Sequence, residues 1–335
     1  MSLSAPEAPL VEPAVVHDIA EVIRAGSDFF VVGHLRPDGD CLGSCLGLVH
    51  TLRALGKTAR FYTDGPVPDV FRYLPGFADI ETATPRGATP DAWLYVDSAG
   101  QDRVHDDWRP DGLLVNIDHH VSNTRFATHN WVDVEATAAA EQIYRLALAL
   151  GVEITPDIAT CLYTGILTDT GGFRFGNTDQ MTFRAAAHLV RAGADPAAIA
   201  EAIFENRKPA AVRMTGEVYR NLNFEFGGRF VWAEATREMF DRAGGDAAEP
   251  EGLSSDLRSI EGVEVAILFL VSPEGWLRLG FRSKGRVDVS ELARRLGGGG
   301  HRAASGAMMR EDYAPARDRA LIVIRGYLAE AFTAA

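Results

Sequence analysis

Two carboxylates and an imidazole crowd the end of an apolar run: in "DFFVVGHLRPDGDCLGS" the run ends in His34, Asp38 and Asp40, with Gly39 between the two acids. Three more groups of this kind follow in order, "YVDS" with Asp97, "NIDHHVSN" with Asp118, His119 and His120, and "ILTDTGGFRF" with Asp169. "PDGD" by itself suits an ordinary turn, since turns favour Pro, Asp and Gly. Gathered at one place, however, the acids would repel one another, and burial would penalise each charge. Divalent cations remove that cost. Aspartate with imidazole and no thiolate favours Mn²⁺ or Mg²⁺, with Co²⁺ or Zn²⁺ as alternatives. Four ionised groups, Asp38, Asp40, Asp97 and Asp169, would balance two such ions.

The elements that must position these groups are legible in the same stretch. Strand-like runs at "DFFVVGH", "ARFYTD", "AWLYVD" and "GLLVNID" alternate with helical patterns, the first of them "LGSCLGLVHTLRALG". Strands separated by helices imply a parallel sheet with helices on both faces. Ligands of such sheets bind beyond the carboxyl ends of the strands, so groups far apart in sequence can meet there. His34, Asp38, Asp97 and Asp118 each trail a strand-like run. Further helices are expected at "ATAAAEQIYRLALALG", "PDIATCLYTGILTDTG" and "TDQMTFRAAAHLVRAG", the last with Thr178 as N-cap. The expected fold is α/β, a doubly wound parallel-sheet domain over 15–192, a helical linker over 193–226 and a smaller α/β domain over 227–332. Its strands would be "RFVWAEA", "VEVAILFLV" and "WLRLGFRS".

Composition bounds the function. At 335 residues the chain is long for a single core, and 47% hydrophobic with 24% charged residues is a globular composition. A net charge of −13 argues against a surface that grips long duplex nucleic acid through many phosphates. A short anion at a local positive spot remains compatible. Three cysteines, Cys41, Cys45 and Cys161, without a CxxC pair, suggest neither a disulfide framework nor a thiolate zinc site. No apolar run reaches the roughly 18 residues that cross a bilayer, and the first sixteen residues lack the features of a secretion signal. A soluble cytoplasmic protein without membrane partners is the expectation.

The late "GGGGHRAASG" has two readings, a flexible loop before a strand or a concave nest of backbone amides for a phosphate, with His301 adding charge. Arg258 and Arg282 offer guanidinium forks suited to phosphate, and Arg174 follows the fourth group.

Taken together, "HLRPDGDCLGS", "YVDS", "NIDHHVSN" and "TGILTDTGGFRF" resemble the four motifs of the DHH phosphoesterase superfamily, and "GGGGHRAASG" resembles the signature of its DHH-associated C-terminal domain. The resemblance runs from about residue 15 to about residue 330. It implies that His34, Asp38 and Asp97 hold one metal and that Asp40, Asp97, His119 and Asp169 hold the other, with Asp97 bridging. It further implies that His120 faces the substrate phosphate or leaving group while Asp118 orients its neighbours; Arg174, by its place just after the fourth motif, would reach the scissile phosphate, the alternative being a surface salt bridge. Arg258, Arg282, Ser283, Gly298, Gly299, Gly300 and His301 would bind the rest of the substrate. Two divalent ions, Mn²⁺ first and Mg²⁺ or Co²⁺ as alternatives, would activate a water for in-line attack at phosphorus.

Within the superfamily the layout is similar to that of compact bifunctional enzymes that degrade very short RNA oligomers and dephosphorylate adenosine 3′,5′-bisphosphate. A cyclic-dinucleotide or linear dinucleotide phosphodiesterase is the runner-up, and a non-catalytic nucleotide-binding module is the alternative of another class. The "GGGGH" tail points away from a family II pyrophosphatase, and no strand-tracking domain of a RecJ-like exonuclease is apparent. The expected partner is a short RNA oligonucleotide or nucleotide; a homodimer is allowed.

Overall fold

A computed structural model describes residues 13–105, 107–245, 252–272 and 274–333. The stretch read for a secretion signal lies outside the described residues up to position 12. The chain divides into two compact units, 1–206 and 207–335.

The first unit is built on a five-stranded parallel sheet in the order β2-β1-β3-β4-β5, with β1 Asp28–Val32, β2 Thr58–Tyr62, β3 Ala92–Val96, β4 Leu114–Asp118 and β5 His129–Val132. The chain therefore winds outward from β1 in both directions, as expected. Alternation along each strand sends Phe29, Val31, Leu94, Val96, Val115 and Ile117 to one face. There they pack with α1 Ala14–Ala25, α2 Gly39–Ala54, α3 Ala139–Ala149 and α4 Pro156–Asp169. Phe30, Val32, Trp93 and Tyr95 point to the other face. That face is closed by Val104 and Trp108 of the β3–β4 connection, not by a long helix.

Helix α2 is buried almost all round, the pattern of a core helix. It runs antiparallel to α4 at very close range. A Cβ on Gly43 would lie 2.4 Å from the Cys161 carbonyl oxygen, and one on Gly39 would lie 2.4 Å from the Thr168 side chain. Only glycine permits that approach, and its effect is to set the first turn of α2 beside the last turn of α4.

Helix α5 Gln180–Ala192 starts one residue later than the sequence suggests. Its N-cap is Asp179, which accepts from the Thr182 amide in a capping box, whereas the Thr178 hydroxyl is buried without a hydrogen-bond partner. A carboxylate is the stronger acceptor, and Thr182 answers it three residues on. The linker stretch also holds more than helices. Helix α6 Pro196–Phe204 packs with the first unit and α7 Pro209–Tyr219 with the second, and a short strand, β6 Asn223–Glu225, follows.

The second unit is a six-stranded mixed sheet in the order β10-β11-β9-β8-β7-β6, adding β7 Phe230–Ala235, β8 Val265–Val271, β9 Trp276–Ser283, β10 Gly299–His301 and β11 Ala304–Asp312. Its core includes Phe230, Phe269 and Phe281 against α8 Val289–Arg295 and α9 Tyr313–Thr333. Among the described residues no helix is long and apolar enough to cross a membrane.

Candidate active site

The four acid and imidazole groups converge beyond the carboxyl ends of β1, β3 and β4, together with the end of α4. Asp38 is the N-cap of α2, its Oδ1 accepting from the Asp40 and Cys41 amides at 3.1 Å each. Asp40, 2% exposed, reaches across to α3, where its Oδ2 accepts from the Ala139 amide at 2.6 Å and its Oδ1 from the Ala140 amide at 2.9 Å. The N-cap of α3, Ala138, has no side chain able to cap, so Asp40 does that work from another helix. Asp97 follows β3 with φ 57°, a left-handed backbone that costs an L residue energy and turns its side chain inward.

Two sets of groups face opposite oxygens of Asp97. His119 Nε2 lies 3.5 Å from Asp97 Oδ1, 3.7 Å from Asp40 Oδ2 and 3.7 Å from Asp169 Oδ2. His34 Nε2 lies 3.5 Å from Asp97 Oδ2 and 3.8 Å from Asp38 Oδ1. These separations are too long for good hydrogen bonds, which cluster near 2.9 Å. Ligands each about 2.1 Å from a shared ion stand roughly 3 to 3.5 Å apart. Asp97 is 3% exposed, and its Oδ1 is a buried oxygen with no hydrogen-bond partner. An ionised oxygen in that state calls for a cation, so the residues present fit a pair of divalent ions.

The imidazoles are turned for that purpose. His34 Nδ1 is 3.0 Å from the Leu35 carbonyl and His119 Nδ1 is 3.2 Å from the Ala136 carbonyl. A carbonyl only accepts, so each Nδ1 donates and Nε2 points into the cluster. His120 is held differently, its Nδ1 2.7 Å from Asp118 Oδ1. Asp118 is fully buried, and its Oδ2 accepts from Asn123 Nδ2 at 2.6 Å. Asn123, the Ala136 carbonyl and the Ala139 and Ala140 amides were not singled out from the sequence. Asn123 stands inside the "NIDHHVSN" motif, but nothing local marks the backbone groups.

In the metal-free protein, protons take up the charge. Burial opposes a charged His119 ring, but the carboxylates of Asp97, Asp169 and Asp40 raise its pKa well above the ordinary value. Burial likewise opposes charge on His34, and the Cys41 sulfur with Asp38 and Asp97 more than offsets it. Burial and repulsion from Asp97 and Asp169 push Asp40 well up, and burial lifts Asp169 to about 6. Asp97 goes the other way: against the pull of burial, the facing His119 and His34 rings, with His120 nearby, hold it far below the carboxylate range. Burial raises the Cys41 thiol, in keeping with a neutral neighbour of the site.

The remaining expected residues fall in two places. Arg174 is exposed on the loop after α4, its Nε donating to the Gly171 carbonyl. The others lie in the second unit, around the ends of β9 and β10. Arg282 Nε donates to Ser255 Oγ at 3.2 Å, and Arg258 Nη1 to the Ser283 carbonyl at 3.1 Å. Ser283 departs from expectation: it is fully buried and its hydroxyl donates to the Val287 carbonyl at 2.8 Å, so it braces the end of β9 instead of facing a ligand. The glycine run also departs from an open nest. Gly299–His301 pair antiparallel with Ala304–Gly306 across a two-residue turn. A Cβ on Gly298 would lie 2.1 Å from the Gly306 carbonyl oxygen, so that glycine serves the close approach to β11.

A parallel α/β domain that gathers buried carboxylates and imidazoles around one unsatisfied aspartate, joined to a second α/β domain, defines a metal-dependent hydrolase of the phosphoesterase class. The chain belongs to the DHH family: the DHH family N-terminal domain matches residues 28–166 and the DHHA1 domain matches residues 221–330. It is 37% identical over 318 residues to the bifunctional oligoribonuclease and PAP phosphatase NrnA of Thermus thermophilus, covering 93% of this chain and 94% of that one. To the protein of the same description from Bacillus subtilis it is 32% identical, covering 82% and 87%. Its fold is similar to that of an exopolyphosphatase-related protein from Bacteroides fragilis, with a TM-score of 0.86 at 23% identity over 96% of this chain and 98% of that one.

Proposed function

We propose that this protein hydrolyses short oligoribonucleotides to mononucleotides and dephosphorylates adenosine 3′,5′-bisphosphate, using two divalent metal ions of which Mn²⁺ is the preferred one. The observation that carries the reading is Asp97, whose two oxygens each face a separate imidazole-carboxylate group while Oδ1 lacks a hydrogen bond. His34, Asp38 and Asp97 would hold one ion, and Asp40, Asp97, His119 and Asp169 the other. Oxygen and imidazole ligands without thiolate suit Mn²⁺. Such a pair supplies Lewis-acid stabilisation of charge at phosphorus and acidifies a water.

The chain's own residues do the rest. Asp118 fixes the His120 ring through Nδ1, so that Nε2 is presented to the leaving oxygen and can pass it a proton. Arg174 draws the scissile phosphate to the loop after Asp169. Arg258, Arg282 and His301 hold the nucleotide, while Gly298, Gly299 and Gly300 shape the hairpin that carries His301. The acidic surface agrees with a substrate of few phosphates. The described cysteines are all unbridged, in keeping with a cytoplasmic location.

Purified protein with Mn²⁺ offered a labelled diribonucleotide, adenosine 3′,5′-bisphosphate, cyclic di-adenylate and pyrophosphate in parallel tests this. Turnover of the first two above the others is expected. Exclusive turnover of cyclic di-adenylate or pyrophosphate would reassign the substrate, and metal uptake without any hydrolysis would make the protein a binding module.

A further inference from the structure

Five described residues other than glycine have positive φ: Arg36 at 57°, Asp97 at 57°, Arg125 at 53°, Phe173 at 61° and Phe226 at 52°. The first four fall one to each loop that carries an acid or imidazole group of the cluster. A left-handed backbone strains any residue that bears a side chain, and such strain collects where a side chain must be aimed. Asp97 is aimed at the centre of the cluster. Phe173 packs against the core and stacks on Phe183, with ring centroids 5.4 Å apart.

Arg36 and Arg125 have no such explanation. Both are exposed, and neither guanidinium meets a hydrogen-bond, ion-pair or ring partner among the described residues. Acids are not scarce, since the chain holds 46 Asp and Glu against 33 Lys and Arg. Their backbones are nonetheless pinned. The Arg125 amide donates to Asn123 Oδ1 at 2.7 Å, and the same Asn123 holds Asp118. The Arg36 amide donates to the Asp64 carbonyl at 3.3 Å, and Arg36 stands two residues from both His34 and Asp38. The loops that set the acids and imidazoles thus also fix the backbone from which these two cations project.

We propose that Arg36 and Arg125 bind the substrate phosphate that is not being cleaved, the 5′-phosphate of adenosine 3′,5′-bisphosphate or the next phosphodiester of an oligonucleotide. This rests on the phosphoesterase reading of the cluster and deepens it. Guanidinium forks match phosphate oxygens in pairs, and here no internal ion pair has to break first. The two residues act as specificity determinants by favouring substrates with a second phosphate.

The test replaces each arginine with glycine, which keeps the left-handed backbone without strain, and with lysine, which keeps charge but loses the fork. Steady-state kinetics would compare adenosine 3′,5′-bisphosphate and a 5′-phosphorylated diribonucleotide with bis(p-nitrophenyl) phosphate, which has only the scissile phosphate. The expected result is a fall of about tenfold per arginine in the ratio of kcat/KM for the two-phosphate substrates over the single-phosphate ester, taken up in KM. Lysine should recover part of it, and the glycine variants should unfold at an unchanged or higher temperature. An unchanged ratio, or a loss shared equally by all substrates, in a folded and active variant overturns the clamp alone. Failure of the unsubstituted protein to hydrolyse any of the three takes the phosphoesterase reading down with it.

Discussion

Asp97 is the residue on which both halves of the cluster depend, because one oxygen faces His34 and the other faces His119. Asp97→Ala is expected to cut kcat by roughly a hundred- to a thousandfold or more on every substrate, while Arg282→Ala raises KM about tenfold and leaves kcat closer to its starting value. Near-normal turnover by the Asp97 variant in a steady-state assay would remove it from the centre. The titrating groups give a second expectation. His34 and His119 are raised, so their charged forms stabilise the metal-free fold below the unfolded value near 6.5, and that contribution is lost as pH rises through their folded values. Asp169, raised to about 6, acts in the same direction, since the folded protein favours its protonated form and loses that stability as pH rises through about 6. The metal-free protein should therefore melt at progressively lower temperature from pH 6 to pH 9. Added Mn²⁺ should restore the midpoint most at the alkaline end, as ion replaces proton. Calorimetric scans with chelator and with Mn²⁺ check it, and parallel curves would contradict it.

The elements place these residues through contacts that no single motif contains. Asp40 reaches Asp169 because α2 and α4 touch at glycine, and Gly43→Ala would drive a methyl to 2.4 Å from the Cys161 carbonyl oxygen. Backbone cannot swing aside as a side chain can, so a destabilisation of about 1–3 kcal/mol is expected, with weaker Mn²⁺ binding as the helices part. Denaturant unfolding and metal titration measure both, and an unaltered metal affinity would show that the helix contact does not set the site. Much at this scale was legible beforehand, since the runs around Phe29–Val32 and Ala92–Val96 are strongly apolar and end in polar groups. The start of α5 was not, because Thr178 and Asp179 are adjacent capping residues and only the answering Thr182 chooses between them. Nor was the covering of the second sheet face, where Trp93 and Trp108 meet edge to face at 5.2 Å without the helical periodicity that would reveal a layer.

At the scale of the whole molecule, the parallel sheet explains how groups from Asp38 to Asp169 assemble, since each lies in a loop at one edge of the sheet or at a helix end beside it. Their convergence could be inferred from order and residue type. What sequence could not supply was the division of labour in the second unit, where Ser283 braces the end of β9 and Gly298 serves close packing, because burial and close backbone approach belong to the folded chain. The most direct measurement is anomalous diffraction at the manganese edge from crystals grown with Mn²⁺. Two peaks should appear a few ångströms apart on either side of the Asp97 carboxylate, one next to His34 and the other next to His119. Density for manganese elsewhere, or none between those imidazoles, would contradict the paired-ion site.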